Sequence, residues 1–152
     1  MVKIDLPNNR YAIIDKEDLH LIQGYKWTWT GKYVRATTKT GGVYLHRIIT
    51  GASKGSDVDH KNGDTLDNRR ENLRVCSRSE NSANQKRMRG GSSKYKGVTF
   101  CKTRNKWVAK IMKNYKTVFI GRYKTEENAA LAYNKKAVEL FGEFAFINEV
   151  RL

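Results

Sequence analysis

Residues 58–85 read VDHKNGDTLDNRRENLRVCSRSENSANQ, and the rest of the chain is interpreted from this stretch. An apolar residue leads into Asp59 and His60, two side chains that can hold a cation and move a proton. Residues 61–68 are rich in Asn, Asp and Gly, which close turns by bonding their own backbone. A short strand-like run, 73–76, follows Glu71 and Asn72. Ser77, Arg78, Ser79 and Glu80 then spell the S-x-x-E capping box of a helix start. The pattern is strand, loop, strand, helix, with Asp59, His60, Asn72 and Asn81 as candidate site residues. The plain alternative is that Asp59, Asn62, Asp64 and Asn68 only cap turns and His60 only packs. The capping box, the helix-borne Asn81 and the Asp-His order weigh against that alternative.

The ordered set DHKNGDTLDNRRENLR and SRSENSANQ resembles the ββα-metal motif of HNH endonucleases, in the branch found among phage and intron-encoded homing enzymes. The resemblance implies one divalent metal on Asp59 and Asn81, His60 as general base, and Asn72 as the residue that orients the base. The third motif letter is Asn81 and not His, which fits the homing branch and speaks against zinc. The chemistry makes a matching demand. Hydrolysing a phosphodiester needs a base to activate water and a cation to stabilise charge on phosphate and leaving oxygen. Magnesium takes hard oxygen ligands, keeps several waters and needs few protein groups, so Mg2+ is the expected cofactor, with Mn2+ able to replace it.

Thirty Lys and Arg stand against 15 Asp and Glu, a net charge of +15 that calls for a polyanionic partner. The excess is uneven. Residues 94–152 hold thirteen basic and five acidic side chains, whereas 56–93, around the proposed metal site, hold eight and six. Aromatic residues make up 11%, too many for a disordered basic tail. The sequence has neither an apolar run of about eighteen residues nor a signal peptide, so no membrane is expected. Cys76 and Cys101 stand apart with no C-x-x-C pair, which argues against structural zinc and for a reducing cytoplasm, that of a bacterial or phage-infected cell.

Before the motif, residues 1–50 read as short strands broken by Pro7, Asn8, Asn9, Gly24 and Gly31. Residues 15–22 (DKEDLHLI) allow one or two helical turns with Asp15 as cap. A hairpin is expected around Lys39, Thr40, Gly41 and Gly42, and Trp27 and Trp29 share a strand face suited to packing. Residues 45–49 (LHRII) begin a helix. Homing-type HNH proteins carry a similar L-H-R, so the resemblance gives His46 a supporting or substrate-contact role in the nuclease module. The helix after the motif is expected to end near Gly90 and Gly91, with Arg78, Lys86, Arg87 and Arg89 placed to clamp a DNA backbone.

From residue 94 onward the pattern changes. Residues 95–101, 106–112 and 117–122 read as three strands, and Thr125 caps a helix to Phe141 that Gly142 ends. In the middle strand Trp107, Ala109 and Ile111 share the inward face, and Lys106, Val108, Lys110 and Met112 the outward one. YKGVTF, KWVAKI, FIGRY and TEENAALAYNKKA resemble the AP2 DNA-binding domain across nearly all of this unit. That family lays a three-stranded sheet in the DNA major groove. The implied contacts are Thr99, Lys102, Arg104, Lys106, Lys110, Met112, Thr117 and Phe119. Several of these are Arg, Glu or Trp in plant relatives, so target preference does not carry over.

The expected fold class is α+β: an HNH module over 1–89, a linker over 90–93, and over 94–152 an antiparallel three-stranded sheet packed on one helix. The expected function is a metal-dependent endonuclease of the homing type that nicks double-stranded DNA as a monomer, with no small-molecule substrate. The alternative is a DNA-binding regulator that kept the fold without the chemistry; an RNA-binding role has only charge in its favour.

Overall fold

The computed structural model describes residues 1–86 and 90–151, and its contacts divide the chain into two compact units, Met1–Arg78 and Ser79–Leu152. It is a mixed α and β chain of small antiparallel sheets and few helices.

The first unit opens with a hairpin, β1 (Val2–Leu6) and β2 (Arg10–Ile14), turned by Asn8 and Asn9 in the left-handed region that Asn tolerates. The 15–22 segment folds as a 3-10 turn, Lys16–Asp18, and a single α turn, α1 (Leu19–Ile22). Asp15 is no side-chain cap there; its carboxylate accepts the Arg70 amide at 2.9 Å instead. Strands β3 (Trp27–Trp29), β4 (Val34–Thr38) and β5 (Gly41–Tyr44) form a sheet that runs straight into α2 (Leu45–Thr50). Strands β6 (Asp57–His60) and β7 (Leu73–Cys76) pair antiparallel, with Asp59 opposite Arg74 and His60 opposite Leu73. One core joins these pieces, with Leu6, Ile14, Val34, Leu45, Ile49 and Val58 at its centre. Trp27 is buried in it and Trp29 packs against it, as their shared face suggests.

The second unit holds α3 (Arg78–Asn84, apart from its first residue) and the sheet β8 (Val98–Cys101), β9 (Lys106–Lys113) and β10 (Lys116–Tyr123), in the order β10-β9-β8. Helix α4 (Glu126–Phe141) starts where Thr125 Oγ1 accepts the Asn128 amide at 3.2 Å. Lys113 pairs with Lys116, and Asn114 and Tyr115 both take positive φ (49° and 64°), so the two-residue hairpin loop has the twist of a type I′ turn. Ala109 and Ile111 face a core with Ala129, Ala130, Tyr133 and Ala137, while Lys110, Met112, Thr117 and Phe119 are exposed.

Helix α3 departs from expectation at its end. It stops at Asn84, well before Gly90, and Ala83 packs among Ile111, Tyr133, Ala137 and Phe141. The reason is a tertiary contact: the ammonium of Lys96 takes carbonyls of the last turn (below), so no glycine cap is needed. Strand β8 also starts late, at Val98. Gly97 ahead of it has φ of +74°, and a Cβ there would fall 2.1 Å from the Tyr133 ring.

Candidate active site

Residue 60 ends β6, and its imidazole is buried, 4% exposed. The loop between β6 and β7 is built to hold it. Asn62 Oδ1 accepts the Asp64 amide, Asp64 Oδ1 accepts the Leu66 amide, and Asn62 Nδ2 donates to Asp67 Oδ2 at 3.0 Å. Asp67 is also gripped by both ends of the Arg69 guanidinium at 2.8 Å, which holds its carboxyl below the usual range. The loop is tied to the N-terminal hairpin as well: Ile13 donates to the Leu66 carbonyl, and the Asn68 amide to that of Ile13, both at 2.8 Å. Asp18, 1% exposed, accepts Arg70 Nη2 at 2.6 Å.

The hydrogen-bond partner this loop delivers to His60 is Asn68. Its Oδ1 lies 3.3 Å from His60 Nε2, and its Nδ2 donates to the Thr65 carbonyl at 3.1 Å. That second bond fixes the amide, so Oδ1 is the atom facing the ring and Nε2 carries the proton. The basic lone pair of the neutral ring is then on Nδ1. Burial pushes the His60 pKa below its ordinary value; the Asn68 bond and the nearby Asp59 oppose that shift without overcoming it.

Asn72 is buried and acts on the loop backbone. Its Oδ1 accepts the Asn62 amide at 3.0 Å and its Nδ2 donates to the Asp67 carbonyl at 2.7 Å. Any orientation of His60 by Asn72 through these bonds is indirect, by way of the loop that carries Asn68. In the sequence Asn68 stands out only in the turn-capping alternative, and its 55-residue separation from Ile13 leaves no local signal of burial.

Asp59 points its Oδ2 at Arg74, which donates from Nε at 2.8 Å and Nη2 at 2.7 Å across the β6–β7 pair. Both side chains are largely buried, at 6% and 10% exposure. Arg74 was not among the residues singled out in the sequence, although its cross-strand register is the signal.

Around His60 stands a group of rings. His46, on α2, has its centroid 5.3 Å from His60 and 5.0 Å from Tyr33, and Tyr44 stacks on His46 at 5.6 Å. Burial, then the neighbouring His60 and Arg47, push the His46 pKa down to about 3, so this ring is neutral at any working pH. Tyr33 and Tyr44 carried no sequence signal that set them apart from core aromatics.

Asn81 lies on α3 and so belongs to the second unit, whereas Asp59, His60, Asn68 and Asn72 belong to the first. Arg78 pairs with Asp57 at 3.0 Å and keeps a largely exposed side chain; Lys86 is exposed, and Arg87 and Arg89 lie outside the described residues. On the second unit, Lys102 and Arg104 are exposed on a 3-10 turn, and Thr99 and Lys106 are half-buried. One residue of the exposed face was missed. The register of β10 shifts between Phe119 and Gly121, so that Phe119 opposes Lys110 and Arg122 opposes Val108. Arg122 is exposed and lies over the Phe119 ring at 4.9 Å. Gly121 inside the strand is the sequence sign of that bulge.

Comparison with known proteins finds two family models along the chain. Residues 43–83 match the HNH endonuclease family model and 93–143 the AP2 domain model. An uncharacterized HNH endonuclease of Acanthamoeba polyphaga mimivirus is 35% identical over 146 residues, 92% of this chain and 75% of the relative. The chain belongs to the HNH endonuclease family. It is a nuclease with an AP2-like domain, and DNA is its partner. An AP2-like ethylene-responsive transcription factor of Arabidopsis thaliana is 40% identical over 62 residues, which span 41% of this chain and 13% of the plant protein. HNH nucleases generally use a divalent metal. The Asp59 carboxylate offers the hard oxygen that such a cation takes, and Arg74 donates to one of its two oxygens. No helix among the described residues is long and apolar enough to cross a membrane.

Proposed function

We propose that this HNH nuclease cuts double-stranded DNA by magnesium-dependent hydrolysis, as a homing-type enzyme that nicks one strand per monomer. The observation that carries the reading is the buried His60, held through Nε2 by Asn68 and flanked in sequence by the Arg74-bound Asp59. His60 Nδ1 takes a proton from the attacking water, which adds to phosphorus as the bond to the 3′ oxygen breaks. The departing 3′ oxygen takes a proton from solvent water, so the products are a 5′-phosphate and a 3′-hydroxyl. The imidazolium formed is stabilised by its Nε2–H bond to Asn68 Oδ1. Asp59 and Asn81 would hold the metal, which would supply neutralisation of charge on the phosphate and on the departing oxygen. Mn2+ is expected to replace Mg2+.

The AP2-like unit supplies the grip. Its exposed sheet face carries Lys106, Lys110, Met112, Thr117, Phe119 and Arg122, a mix of cations and an aromatic suited to phosphates and base edges. Lys102, Arg104 and Thr99 flank that face, and Arg78, Lys86, Arg87 and Arg89 are proposed to hold backbone phosphates near the cut. The enzyme is proposed to act on DNA in the cytoplasm of the host cell.

The test is incubation with supercoiled plasmid carrying candidate target DNA, with Mg2+ or with chelator. Open-circle product appearing only with Mg2+ supports the reading. Cleavage that persists in excess chelator, or linear product at first order in enzyme, overturns the metal or the nicking part.

A further inference from the structure

Lys96 is a cation that the DNA-binding reading leaves unused. Its Nζ donates to three carbonyls at the end of α3, those of Ser82 at 3.0 Å and of Ala83 and Gln85 at 2.6 Å each. An ammonium has three donors, and all three are spent on this helix end. The backbone of Lys96 is itself pinned. Its amide donates to Asn148 Oδ1 at 2.7 Å and its carbonyl accepts Asn148 Nδ2 at 3.1 Å. Asn148, 5% exposed, is locked in turn by two bonds to Asn134 on α4. The other end of α3 is also tied down, because Ser79 Oγ accepts the Asn114 amide from the β9–β10 turn. A seven-residue helix does not hold its shape alone. These ties, with the packing of Ala83 on Ile111 and Tyr133, supply what it lacks.

We propose that Lys96 is a positioning residue for the nuclease: by closing the C-terminal end of α3 it fixes the turn that carries Asn81. This rests on the reading of Asn81 as a metal residue. The AP2-like unit then does more than bind DNA, since it holds one of the catalytic centre's own helices in shape. A lysine chosen for a phosphate would be exposed and mobile; this one is half-buried with its ammonium bonded to three carbonyls, and burial lowers its pKa to about 8.

The experiment compares full-length wild type with Lys96→Met, Lys96→Arg and Asn81→Ala. Hydrogen exchange by mass spectrometry follows peptides over 79–86 and over 98–123. Nicking is resolved into kcat and KM, and Mn2+ binding is measured without DNA. Lys96→Met is expected to lose protection over 79–86 while the sheet keeps its own. Its kcat and Mn2+ affinity should fall about 10- to 100-fold, the usual effect of losing a group that orients a metal ligand, with KM for DNA nearly unchanged. Lys96→Arg, still a multiple donor, should recover most of both. Equal loss of protection in helix and sheet overturns the proposal, as does a Lys96→Met enzyme with wild-type kcat or one that fails only in KM. If Asn81→Ala nicks normally, the metal reading of Asn81 fails; if only Lys96→Met is normal, that reading stands and this proposal falls.

Discussion

Asn68 Oδ1 sits 3.3 Å from His60 Nε2, inside a loop whose fold exists to bury both residues. The relationship leaves the basic lone pair of the neutral ring on Nδ1, and on the proposed mechanism it gives Asn68 a more direct hold on His60 than Asn72 has.

Replacing the partner should therefore cripple the base without touching it. Asn68→Leu is expected to slow single-turnover cleavage about 10- to 100-fold, since groups that orient a catalytic histidine usually contribute that much. His60→Ala should be worse, by about 100- to 10,000-fold, the range for a positioned base. Quench-flow assays on a labelled duplex measure both; an Asn68→Leu enzyme at full rate would remove Asn68 from the mechanism.

The pH profile follows from burial. A general base works when neutral, so activity rises as pH climbs through the His60 pKa in the active enzyme. That pKa lies below the ordinary histidine value, so the acid limb should fall below about pH 6.5 and the rate should be level above it. Losing the Asn68 bond, which opposes the shift, should move the limb further to acid. A limb centred above 7 contradicts the assignment.

Acid should also loosen the first unit. His46 is neutral when folded, with its pKa near 3, and takes a proton in the unfolded chain at about 6.5. Its contribution is present above pH 6.5 and is lost as pH falls from there towards 3, since the unfolded state then binds the extra proton. Urea melts of wild type at several pH values between 7 and 4 should show this loss, and His46→Phe should lessen it by about one proton's worth of slope. Identical pH dependence in the two proteins would mean that other groups govern acid lability.

Breaking the Asp59–Arg74 pair should cost stability as well as activity. Both charges are largely buried, so Arg74→Met removes the guanidinium that donates to Asp59 across the strand pair, a change expected to destabilise by about 1 kcal/mol or more. Denaturant midpoints in chelator check this apart from catalysis. Excess Mn2+ should recover part of the loss if Asp59 binds the cation.

Removing the second unit gives the sharpest test of domain organisation. A cut at 90–93 is expected from sequence to leave an intact nuclease core, but it strips α3 of Lys96 and of its packing on Ile111 and Tyr133. The 1–89 fragment should keep the core around Ile14 and Leu45 yet cut nothing, even at saturating DNA. In the full chain, Lys110→Ala and Arg122→Ala should each flatten the salt dependence of binding by about one unit of slope if each meets a phosphate.

The sequence alone carried the ordering of Asp59, His60, Asn72 and Asn81, the three-strand-and-helix pattern after residue 94, and the inward face of Ala109 and Ile111. Those features are local: strand alternation, turn residues and caps are written within a few neighbours along the chain. The tertiary structure decided the rest. Asn68 became the partner of His60 because Ile13, far away in sequence, binds its backbone. Arg122 reached the exposed face because a bulge shifts the register of β10 by one residue. Helix α3 ends at Asn84 because a half-buried ammonium twelve residues further on closes it. Each of these depends on burial and on partners brought together by folding, which no residue's own neighbours in the chain can specify.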